Sequence, residues 1–106
     1  YTKRVTFGEK LMRINFLVNY DWKWDLSTGA GAETKQKFIK SIASSDIPRI
    51  DLLIRWGGRM RLSGFLPIQS VYTDIYVLDE LWPDFAPEQF YRALEWYQEQ
   101  DITLGG

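Results

Sequence analysis

Asp51 to Trp56 reads DLLIRW and is followed at once by Gly57-Gly58. A short, nearly unbroken apolar run closed by glycines is the pattern of a buried parallel strand. Such a strand needs covering layers on both faces, so this one segment narrows the chain towards a layered α/β arrangement.

The rest of the chain fits that arrangement. Thr2 to Glu9 reads as a polar lead-in. Met12, Ile14, Phe16, Val18 and Tyr20 alternate with Arg13, Asn15, Leu17 and Asn19, which predicts a strand, and Leu17 on the second face predicts burial on both sides. Asp21 to Asp25 leads into Leu26, and the small residues Ser27 to Ala32 suit a loop or a loosely started helix. Thr34 to Ser44 sets Phe38, Ile39, Ile42 and Ala43 on one stripe away from Lys35, Lys37 and Lys40, an amphipathic helix ended by Ser45, Asp46 and Pro48. Arg59 to Gln69 is a connection, and Tyr72 to Leu78 alternates as a further strand. Pro83 to Pro87 forms a turn. Pro87 suits the first turn of a last helix striped by Phe90, Ala93, Leu94 and Tyr97. Strand and helix alternate, so the expected class is α/β with a largely parallel sheet and flanking helices. Ligands in such sheets gather at the strand C-termini.

Composition removes several chemistries. The 106 residues include no Cys and no His, so a thiol nucleophile, a disulfide, a Cys/His zinc site and histidine acid–base catalysis are excluded within this chain. With 13 basic and 14 acidic side chains the formal charge is −1, which weighs against nucleic-acid binding by bulk electrostatics. No apolar run approaches the roughly 20 residues of a membrane span. No signal-peptide pattern is evident, and Tyr1 in place of Met leads us to expect further chain upstream. Aromatic residues make up 16%, enough for a large core or an apolar cavity.

Chemistry concentrates in Arg55 to Ser63, RWGGRMRLS, directly after the buried strand. Arg55, Arg59, Arg61 and the Ser63 hydroxyl fall within nine residues. Guanidinium groups gathered at a strand end repel one another unless an anion joins them, and diphosphate is a natural partner. From spacing alone, a solvated loop whose arginines pair with surface Asp and Glu is favoured over anion binding.

Asp51 to Phe85 resembles the C-terminal signature of the cis-prenyltransferases, the undecaprenyl diphosphate synthase family. That signature runs approximately D-L-x-I-R-T-S/G-G-E-x-R-L/I-S-N-F-L-x-W-Q, then Y-x-E, then W-P-D/E-F. Asn19 to Leu26 resembles the family's Y-G-G-R-x-D/E-I/L segment, and Phe90 to Gly106 resembles its last helix and terminal R-x-G-G. The resemblance covers nearly the whole chain, in the family's order and spacing.

The resemblance implies an undecaprenyl diphosphate synthase-like α/β fold, of which residues 1–106 would be the C-terminal part of a single domain. It implies a Mg²⁺-assisted condensation of isopentenyl diphosphate, or a related acceptor, with an allylic prenyl diphosphate. By position, Arg55, Arg61 and Ser63 would hold the isopentenyl diphosphate, and Gly105 would reach substrate phosphates across a homodimer. Asp74 stands at the Glu of Y-x-E and would be a Mg²⁺ ligand. Phe65, Leu66 and Ile68 would serve both core and lipid tunnel.

Departures accompany the matches. Arg59 replaces the Glu after Gly-Gly, Gly64 the Asn of S-N-F, and Ile68 the Trp before Gln69. Tyr20-Asp21-Trp22-Lys23 stands for Y-G-G-R, and Gln100, Ile102 and Thr103 stand where the tail carries arginine. The family's D-G-N-x-R-W motif, from its N-terminal half, has no counterpart here. The leading expectation is therefore a divergent prenyltransferase acting with an N-terminal half. A non-catalytic partner subunit is the alternative, motivated by Arg59 and the altered tail, and an unrelated anion-binding module is a third. The implied setting is cytoplasmic, without nucleic acid, and with at most peripheral membrane contact, since no Lys/Arg-rich anchor helix is evident.

Overall fold

The computed structural model describes residues 3–7 and 12–100 and divides the chain into two compact units. The first comprises Tyr1–Ile47 with Gly64–Leu66, and the second Pro48–Ser63 with Pro67–Gly106.

In the first unit, β1 (Lys3–Phe7) pairs antiparallel with β2 (Ile14–Val18), in register from Lys3 opposite Val18 to Phe7 opposite Ile14. Within the segment read as a polar lead-in, Lys3–Phe7 is thus a strand. Val5, Thr6 and Phe7 are strong strand formers, and pairing with β2 satisfies their backbone groups. β2 is not buried on both sides: Asn15 and Leu17 are half-buried, while Ile14, Phe16 and Val18 are exposed. Side chains alternate across a strand, so one partner layer covers one face only. Arg4 braces the pair, donating through Nε and Nη2 to Asn15 Oδ1 at 3.0 and 2.7 Å. Its Nη1 and Nη2 donate to the Asp46 carboxylate at 2.6 and 2.7 Å.

Asp21 to Asp25, left unassigned by periodicity, opens a short helix α1 (Trp22–Ser27). Asp21 caps it by accepting the Lys23 N–H at 2.9 Å. Thr34 caps α2 (Lys35–Ser41) through the Lys37 N–H at 3.1 Å. α2 stops three residues short of the expected Ser44, because Ile42 turns to an extended conformation. That turn buries Ile42 to 2% exposure and leaves Ile39 exposed.

In the second unit, β3 (Leu52–Trp56) and β4 (Asp74–Leu78) are parallel, with Leu52 opposite Asp74 and Trp56 opposite Leu78. Ahead of them the Ile50 N–H donates to the Gln69 carbonyl at 2.9 Å and Thr73 Oγ1 to the Ile50 carbonyl at 2.6 Å. A 3₁₀ turn over Trp82–Asp84 leads to α3 (Pro87–Gln98), which has Pro in its first turn as the sequence predicts and packs on both strands. Its buried face is displaced from the predicted stripe. Gln89 and Ala93 are buried and Trp96 and Tyr97 half-buried, while Phe90 and Leu94 face outward. Two contacts set this rotation: Trp56 Nε1 donates to Gln89 Oε1 at 2.9 Å, and the rings of Tyr76 and Trp96 lie 5.3 Å apart.

The class is thus α/β, with a parallel pair flanked by a helix and a separate antiparallel pair. Among the described residues no helix is long and apolar enough to cross a membrane.

Candidate functional site

β3 delivers Arg55 to the C-terminal end of the parallel pair, one residue before Trp56 closes the strand. Gly57 and Gly58 follow with φ of +98° and +70°, a region that other residues enter only with strain. The Gly57 N–H donates to the Glu80 carbonyl at 2.9 Å and the Gly58 N–H to the Leu78 carbonyl at 2.8 Å. The start of the arginine loop is therefore pinned to the end of β4.

Arg55 gathers the far end of the same loop. Its Nη1 donates to the Arg61 carbonyl and lies 3.3 Å from Ser63 Oγ. The Arg55 guanidinium thus sits beside a hydroxyl, with Arg59 and Arg61 exposed on the intervening segment. Ser63 itself has φ +52°.

Ion pairs join Arg4 and Arg13 to Asp46, and Lys37 to Glu33. Among the described residues no carboxylate forms an ion pair with Arg55, Arg59 or Arg61. A guanidinium fork beside a hydroxyl is a donor set that matches phosphate oxygens.

Asp74 lies apart from this cluster along the strands. It opens β4 opposite Leu52, whereas Arg55 stands opposite Val77. Three residues of strand amount to about 10 Å. Asp74 is half-buried, and its N–H donates to the Asp51 carbonyl at 3.1 Å. Its carboxylate is the hard oxygen donor that Mg²⁺ takes, and Mg²⁺ commonly binds one or two carboxylates together with substrate phosphates. Asp74 fits as one such ligand; among the described residues no group of three or more acidic side chains gathers to hold a metal.

Of the other expected residues, Gly105 lies outside the described residues. Leu66 is buried at 3%, Ile68 is half-buried and Phe65 partly exposed. Sequence reasoning missed Asp25, which is fully buried in the first unit and accepts hydrogen bonds from Tyr20 and Ser44. The available signal was an acid set between Trp24 and Leu26, where a solvated carboxylate is out of place.

Comparison with known proteins adds an independent line. The sequence family described as "Putative undecaprenyl diphosphate synthase" matches residues 1–105. The isoprenyl transferase of Thermotoga maritima is 42% identical over 83 residues, which cover 77% of this chain and 36% of that protein. The (2E,6E)-farnesyl-diphosphate-specific ditrans,polycis-undecaprenyl-diphosphate synthase of Vibrio vulnificus strain YJ016 is 32% identical, covering 97% of this chain and 47% of its own length. The (2Z,6E)-farnesyl-diphosphate-specific trans,polycis-polyprenyl diphosphate synthase of Thermobifida fusca is 34% identical over 98% of this chain and 44% of its own length. The chain spans less than half the length of these three relatives.

Proposed function

The chain belongs to the undecaprenyl diphosphate synthase family, and we propose that it is the part of a cis-prenyltransferase that holds the diphosphate of the isoprenoid acceptor. The observation that carries this reading is the arginine loop: Arg55 beside Ser63 at the end of a parallel strand, with its arginines lacking carboxylate partners among the described residues.

In this reading the full-length protein condenses isopentenyl diphosphate with an allylic prenyl diphosphate. The allylic C–O bond breaks and diphosphate leaves with the electron pair. The alkene of the second substrate attacks the allylic carbon, one C–C bond forms, and the resulting cation gives a proton to a diphosphate oxygen as the new double bond closes. Arg55, Arg61 and Ser63 fix the acceptor by its diphosphate, so its alkene stands in place when the cation forms. Positioning and electrostatic stabilisation supply the rate, as suits a chain with neither His nor Cys. Bound Mg²⁺, held in part by Asp74, would neutralise diphosphate charge and ease its departure. We extend the proposal to a cytoplasmic homodimer in which these residues form part of one domain and the Gly105 backbone contacts substrate phosphate.

The test is incorporation of labelled isopentenyl units by the full-length protein with Mg²⁺ and an allylic diphosphate. Turnover that collapses on Arg61→Ala supports the reading. A protein that turns over nothing alone but stimulates a separate synthase is a partner subunit instead. Absence of affinity for any isoprenoid diphosphate overturns both.

A further inference from the structure

The loop that follows β3 is tied at both ends. At its base the Gly57 N–H donates to the Glu80 carbonyl at 2.9 Å and the Gly58 N–H to the Leu78 carbonyl at 2.8 Å. At its far end Arg55 Nη1 donates to the Arg61 carbonyl and lies 3.3 Å from Ser63 Oγ. Between these ties stand Arg59 and Met60, both exposed, Met60 to 86%. All of these residues belong to the second unit.

Arg59 is thus the crown of a short closed loop. Consecutive Cα atoms are about 3.8 Å apart, so its Cα stands at most about 7.6 Å from that of Arg61. A long arginine side chain covers that distance. With the backbone held on both sides, the Arg59 guanidinium is within reach of an anion seated on Arg55, Arg61 and Ser63. The nearest acid does not claim it. The Asp79 carboxylate lies against the loop base, where a Cβ on Gly58 would stand 3.2 Å from Asp79 Oδ1. Among the described residues, however, neither Asp79 nor any other carboxylate forms an ion pair with Arg59.

A single phosphoryl group presents three acceptor oxygens and about two negative charges near neutral pH. Arg55, Arg61 and the Ser63 hydroxyl already match that demand. A further guanidinium on the same loop is more than a monophosphate needs, and it fits a ligand with a second phosphoryl group.

We propose that Arg59 is a specificity-determining residue of the acceptor site: it binds the second phosphoryl group and so selects an isoprenoid diphosphate over the corresponding monophosphate. The inference rests on the reading of Arg55, Arg61 and Ser63 as that site. It adds a contact that comes from this chain's own arginine at position 59, where the family signature has Glu.

The experiment is calorimetric titration of isopentenyl diphosphate and of isopentenyl monophosphate into the full-length protein and its Arg59→Gln variant. Arg59→Gln keeps much of the side chain and removes the charge and the fork. It should weaken the diphosphate about tenfold and the monophosphate less than about twofold, so that the preference between them falls about fivefold or more. The salt dependence of diphosphate affinity should become shallower as well. Equal losses for both ligands, or no loss for either, overturn the proposal while leaving the diphosphate site intact. If Arg55→Ala and Arg61→Ala also leave diphosphate affinity unchanged, the site reading itself has failed. Melting temperatures of Arg59→Gln, Asp79→Asn and the double variant complete the test. Additive, near-zero shifts are expected, whereas strong coupling between the two positions would mean that Asp79 holds Arg59 in solution, which overturns the proposal. Should Arg59→Gln not fold, Arg59→Lys, which loses the fork alone, decides by the same preference between the two ligands.

Discussion

The Tyr20 phenol, in the link between β2 and α1, donates a hydrogen bond to the Asp25 carboxylate inside α1 at 2.5 Å. An acid in the middle of a helix and a tyrosine two residues past a strand thus become one polar unit. The cost of burying the carboxylate is offset by the three hydrogen bonds it accepts.

Burial and, next, the hydrogen bond to Asp25 push the Tyr20 phenol well above its ordinary pKa. A raised folded-state pKa contributes stability that is complete below the unfolded value, about 10, and is lost as pH rises through the folded one. Stability should therefore fall under strongly alkaline conditions, and this fall should be absent in Tyr20→Phe. Absorbance titration of tyrosinate should show one group in the wild type ionising late, and Tyr20→Phe should remove that group.

Asp46 responds to the opposite extreme. The hydrogen bond from Arg4 holds its carboxyl below the usual aspartate value. Stability from a lowered pKa is present above the unfolded value, about 4, and fades as pH drops through the folded one. The Asp46 side chain is half exposed, so Arg4→Ala should cost about 1 kcal/mol or less through this bridge at neutral pH. The bridge's share should fade in chemical denaturation as pH is lowered progressively below about 4.

Gln89 serves two donors with one oxygen, accepting Trp56 Nε1–H at 2.9 Å and the Ala86 N–H at 3.0 Å. Gln89→Leu keeps the bulk and orphans both. It should destabilise the protein by about 1–3 kcal/mol and change the fluorescence of the Trp56, Trp82 and Phe85 cluster. Urea denaturation measures the first and emission spectra the second.

Asp74→Asn should raise the Mg²⁺ concentration for half-maximal turnover of the full-length enzyme about tenfold or more. KM for isopentenyl diphosphate measured at saturating Mg²⁺ should change little, since Asp74 lies about three strand residues, roughly 10 Å, from the level of Arg55.

Much of the second unit is legible in the residues themselves. The apolar run at Leu52–Trp56, the alternation before Leu78 and Pro87 at the helix start each report a local preference that tertiary packing keeps. The arginine cluster is equally visible, because charge density is a local property. What escapes is whatever depends on a distant partner. β1 becomes a strand by pairing with β2. α3 turns its Gln89 face inward because Trp56 supplies a donor there. The separation of Asp74 from Arg55 is a matter of strand register, and the edge-on contact of the Tyr20 and Phe65 rings links residues with no periodic relation.

The most direct test of the central claim is calorimetric titration of isopentenyl diphosphate into the full-length protein and its Arg55→Ala and Arg61→Ala variants. The diphosphate reading predicts a loss of about 10- to 100-fold in affinity for each variant with the fold intact by circular dichroism. Affinities within twofold of the unaltered protein would contradict it.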